Sequence, residues 1–105
     1  MRLIEKQIAD RLKEIAELAY RINTLCDDYM NYITTANVFI SYAVDECGFT
    51  IEIKQLCDST TQYIEFDNLE RANEDFIELK RKLEDLLEFK EMLIKRVSKW
   101  RKFGY

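Results

Sequence analysis

The chain has no histidine, no proline, two glycines and three cysteines in 105 residues. Each scarcity excludes something. Without His there is no side chain whose unperturbed pKa lies near neutrality, and no imidazole for a metal. Ser/His and Cys/His nucleophile pairs are impossible within one chain, and a di-metal bundle lacks its Glu-x-x-His motif. Gly48 and Gly104 cannot build a phosphate-cradling loop. Gly and Pro punctuate turns, so their rarity predicts few turns and little sheet. Cys26, Cys47 and Cys57 are odd in number with no CxxC spacing, the expectation for a reducing cytoplasm. Cys26 and Cys47 fall on an apolar stripe and read as small buried hydrophobes. No apolar run is long enough to span a bilayer, and "MRLIEKQIADRL" is charged throughout. Neither a membrane helix nor a signal peptide is expected. The expectation is a non-enzymatic protein with no cofactor and no metal, forming one domain over 1–105.

What is present is apolar and charged. Hydrophobic residues make up 48% of the chain, which excludes the composition of a disordered segment. From Ile8, steps of four and three reach Leu12, Ile15, Ala19, Ile22, Cys26, Tyr29, Ile33, Ala36, Ile40, Ala43 and Cys47, all apolar. This is a heptad pattern without a break. It predicts one helix over about 2–47, closed by Gly48 as a left-handed cap. A second heptad runs through Leu69, Ala72, Phe76, Leu79, Leu83, Leu86, Lys90, Leu93, Val97 and Trp100, with Lys90 the sole polar member. It predicts a helix over about 68–103, opened by an Asp67/Glu70 capping box. Between them Ile53, Leu56, Thr60 and Tyr63 fit a short or kinked helix capped by Thr50.

The fold expected from these patterns is all-α: two long antiparallel helices in a coiled-coil or bundle arrangement. A second reading exists for "NVFISYAVDECGFTIEIKQ", residues 37–55. Val38, Ile40, Tyr42 and Val44 alternate, as do Phe49, Ile51 and Ile53, around a turn at Asp45-Glu46-Cys47-Gly48. That alternative is α+β, with a β-hairpin between two helices. The apolar stripes are wider than one helical seam needs, so a homodimer is expected to bury the excess, using Leu87, Lys90 and Ile94.

Charge is uneven. Residues 45–79 hold ten acids against two bases, and residues 80–105 hold nine bases against four acids. The candidate partner-binding acids are Asp45, Glu46, Glu52, Asp67, Glu70, Glu74, Asp75 and Glu78. Lys95, Arg96, Lys99, Arg101 and Lys102 form a candidate basic contact for nucleic acid or a membrane surface. A pI near 4.9 makes direct nucleic-acid binding a poor expectation. The leading functional expectation is a self-associating helical interaction module with an acidic surface for a basic protein partner. The chain carries no family motif, but small acidic proteins of this composition are common among phage and mobile-element products. The alternative is therefore an inhibitor that occupies the nucleic-acid-binding surface of a host defence enzyme. The expected compartment is the cytoplasm, that of the host if the protein is viral.

Overall fold

The structure, a computed structural model, describes residues 3–25, 38–55 and 58–102, with side chains as far as residue 96. Along the chain come α1 (Leu3–Thr24), β1 (Val38–Val44), β2 (Gly48–Gln55), β3 (Asp58–Glu65) and α2 (Leu69–Lys102). The strands form one antiparallel sheet in the order β1-β2-β3. The fold is α+β, which overturns the all-α, coiled-coil and helical-bundle expectation and matches the hairpin alternative, extended by a third strand.

The first heptad is genuine as far as Ile22. Ile8, Ile15, Leu18, Ala19 and Ile22 are buried on one face of α1. The Thr24 hydroxyl turns back to the Tyr20 carbonyl at 2.7 Å at the end of the helix. Beyond it the heptad is coincidental where it can be followed: Ala43 and Cys47, two of its members, are exposed. The middle of the expected helix, 26–37, lies outside the described residues. In 38–44 the β-branched Val38, Ile40 and Val44 and the aromatic Phe39 and Tyr42 favour the pleated surface, because a helix restricts their χ1 freedom.

Val38, Ile40, Phe49, Ile51, Ile53 and Ile64 share the inner sheet face and one hydrophobic cluster with both helices. Each such side chain contributes about 1.5–3 kcal/mol by leaving water. Phe49 meets Phe76 of α2 edge-on, with ring centroids 5.2 Å apart. The wide stripes on the helices are thus explained within the chain: each helix packs against the other and against the sheet. On the outer face Phe39, Lys54, Thr61 and Tyr63 are exposed.

Gly48 opens β2 rather than capping a helix, and its backbone is not left-handed. Its role is space. A Cβ there would lie 2.5 Å from the Ile64 carbonyl oxygen and 2.7 Å from the Tyr63 hydroxyl. The turn before it is fixed by Asp45, whose carboxylate accepts the Cys47 and Gly48 N–H groups at 2.8 and 2.9 Å. The expected middle helix is the end of β2 together with β3, where Ser59, Thr60 and Thr61 suit a strand better than a helix.

The helices are parallel, not antiparallel. Arg11 donates to Asn73, Glu14 pairs with Lys80, and the Ile22 carbonyl accepts from Lys90. Partners therefore advance together along both helices. Three antiparallel strands cross the molecule an odd number of times, which returns the chain to the end where α1 began. Lys90 is buried at 1% exposure, and its ammonium also donates to the Val38 carbonyl at 3.1 Å. It ties the end of α1 to the start of β1.

Candidate functional site

The hairpin turn, the end of β3 and the first turns of α2 meet at one end of the molecule, and all three are acidic. Tyr63 records the convergence. Partial desolvation, then the charges of Asp45, Cys47, Glu65 and Asp67, push its hydroxyl above the ordinary value of 10.0. Beside it a cleft of about 240 Å³ is lined by Tyr63, Glu65, Asp67, Asn68, Arg71 and Asp75. Asn68, not Asp67, caps α2: its side chain accepts the Arg71 N–H at 3.2 Å, while its carbonyl accepts the Ala72 N–H. Asp67 is thereby freed from capping and stands exposed at the cleft.

From this pole a ridge of Glu70, Glu74 and Glu78 runs along exposed α2. Four residues advance about 6 Å along a helix, so the three carboxylates form a regular row. Ile77, between Glu74 and Glu78 in sequence, is 38% exposed and adds an apolar spot. Among the described residues the Arg71 guanidinium makes no ion pair or hydrogen bond.

Of the eight acids named from the sequence, Asp45, Glu46, Asp67, Glu70, Glu74, Asp75 and Glu78 belong to this pole and its ridge. Glu52 does not. It lies mid-sheet on the outer face, 3.8 Å from Lys54. Sequence reasoning missed Glu65, Tyr63 and Arg71. No local signal marks them, since strand pairing brings Tyr63 and Glu65 beside Thr50 and Gly48.

Lys95 and Arg96 are exposed near the opposite end of α2; the side chains of Lys99, Arg101 and Lys102 lie outside the described ones. Leu87 and Lys90 are buried within the chain's own core, and Ile94 is half-buried. Any self-association would have to use a surface other than Leu87 and Lys90. Cys47 is free and exposed on the hairpin turn, not buried; Cys26 and Cys57 lie outside the described residues. Among the described residues no group of His, Cys, Asp and Glu is arranged to hold a metal ion, and no helix is long and apolar enough to cross a membrane. Comparison of the chain with known protein families, characterised proteins and solved structures gave no significant match.

Proposed function

We propose that this protein is a non-enzymatic binding protein whose acidic pole occupies a basic protein surface of the kind that holds nucleic acid. The observation that carries this reading is the convergence of acids from three separate segments: Asp45 and Glu46 of the turn, Glu65 of β3, and the Asp67-to-Glu78 stretch. Each segment alone reads as a solvated face. Together, with Arg71 the one base among them, they make a net negative field, which speeds encounter with a positive surface and repels nucleic acid. The exposed carboxylate row stands where a nucleic acid would present phosphates, and Ile77 and Tyr63 supply apolar contact. The chain has no His and no Gly-rich loop, and no metal cluster is found among the described residues, which supports occupation of a surface as the mode of action.

The test is affinity capture from an extract of the source cell, with elution by salt and, separately, by duplex DNA or RNA. The expected result is a basic protein released by either eluent. The Glu74→Gln/Glu78→Gln variant should capture it with a slower on-rate and a flatter salt dependence. Equal on-rates and equal salt slopes for variant and wild type would refute the reading.

A further inference from the structure

The two outer edges of the sheet are treated differently. The hairpin hydrogen bond from Asp45 N–H to the Gly48 carbonyl fixes which backbone groups of β1 face outward: those of Val38, Ile40, Tyr42 and Val44. Two of these positions are blocked by side chains from the helices. Asn23 donates to the Ile40 carbonyl at 2.7 Å and accepts its N–H at 2.8 Å, and Lys90 takes the Val38 carbonyl. On β3, the bond from Phe66 N–H to the Cys47 carbonyl sets the same parity. The N–H and C=O groups of Ser59, Thr61, Tyr63 and Glu65 face outward, and nothing described bonds to them. Open edges invite strand addition, and proteins usually guard them with lysine, proline or a covering element. β3 carries no lysine or proline, no described element covers its edge, and Asp58 and Glu65 are its only charged residues.

We propose that β3 is the docking edge, where an extended lysine- or arginine-bearing segment of the partner adds to the sheet as a fourth strand beside residues 59–65. Charge decides the occupant. β3 carries only acids, and it leads directly into the cleft of Glu65, Asp67 and Asp75. A second copy pairing antiparallel would bring Glu65 of each copy toward Asp58 of the other, acid against acid with no base on either strand. A basic strand gains main-chain hydrogen bonds for affinity and opposite charges across the pair for register. A basic side chain opposite Glu65 would also reach the Tyr63 ring, whose face attracts cations. This proposal rests on the acidic-pole reading for the sign of the partner's charge, but its geometry is tested separately.

The probe is a capped nine-residue peptide alternating lysine with threonine and valine, with two N-methylated forms. One form blocks the odd-numbered backbone N–H groups and the other the even-numbered ones. Strand addition uses a single set, so one form should bind roughly tenfold more weakly or worse and the other like the parent. The Thr61→Pro protein should lose peptide affinity while keeping its circular dichroism and melting temperature. Its N–H faces solvent, so proline there breaks no bond to β2. Should the variant misfold, the peptide series decides by itself. Equal binding of all three peptides overturns the docking edge while leaving the acidic pole as a purely electrostatic surface. No binding by any of them overturns the docking edge, and the capture experiment then judges the pole. Methylation-sensitive binding that survives in folded Thr61→Pro moves the peptide to the open half of β1 and overturns the assignment to β3. A dimer of the protein alone that dissociates in folded Thr61→Pro makes the occupant a second copy.

Discussion

At the scale of single residues, Lys90 and Gly48 show how little of a role composition reveals. Lys90 interrupts a row of apolar positions, and that interruption is plain in the sequence. Its role is not, because its two carbonyl acceptors, on Ile22 and Val38, stand 68 and 52 residues away. Lys90→Met keeps the side-chain bulk but leaves two buried carbonyls without this donor. The expected loss is about 2–4 kcal/mol, read from the urea midpoint; an unchanged midpoint would refute the tie. Gly48→Ala should cost about 1–3 kcal/mol through overlap with Ile64 and Tyr63. Adding Tyr63→Ala should not recover that loss, because the Ile64 carbonyl is backbone and cannot move aside. Glu14 joins the helices differently. Burial raises its pKa, but its hydrogen bonds and charge interactions with Lys80 and Arg11 outweigh this and hold the carboxyl below its ordinary 4.5. A depressed folded pKa gives stability that is complete above the unfolded value and lost as pH falls through the folded one. Glu14→Gln should therefore melt lower than wild type at neutral pH, and the gap should close as the pH drops below 4.5.

At the scale of elements, α2 is legible in the sequence, α1 only as far as Thr24 of the expected 2–47, and the sheet only in part. The α2 heptad from Ala72 to Leu86 is buried as written, and the expected bounds of 68–103 differ from those found by one residue at each end. Five residues of β1 and β2 (Val38, Ile40, Phe49, Ile51 and Ile53) are buried in the pattern the hairpin reading describes, while Tyr42 and Val44 of that pattern are exposed. A heptad runs through the same letters by way of Ile40, Ala43 and Cys47 and extends the pattern of α1, so the periodicity favours a helix there. β3 was invisible. Ile64 is its single buried side chain, so there was no alternation to see. The antiparallel direction follows from joining two long helices by a short middle segment; three strands between them cross the molecule an odd number of times and make the helices parallel. Asn68→Ala should destabilise the start of α2 by about 1 kcal/mol, whereas Asp67→Ala should not, which separates the observed cap from the expected one. Asn23→Ala should cost stability and also unblock β1. Light scattering of that variant should show stronger concentration-dependent association than wild type.

At the scale of the molecule, the charge asymmetry read from the sequence acquires a location. Seven of the eight acids that the sequence singles out belong to one pole or its ridge, while Glu52, mid-sheet beside Lys54, shows that proximity in sequence is no guide by itself. Lys95 and Arg96 lie toward the other end of a helix about 51 Å long. Parallel helices have a practical consequence for handling the protein. Ile4 lines a cleft with Asp67, Asn68 and Glu70, so α1 begins at the acidic pole, whereas α2 runs away from it. A tag or surface tether joined ahead of α1 stands over the pole and obstructs whatever comes to it. The same tether joined beyond α2 holds the molecule by its far end and presents the pole outward, like a probe on a stalk. Immobilised in the two orientations at equal density, the protein should capture its partner well in the second and poorly in the first.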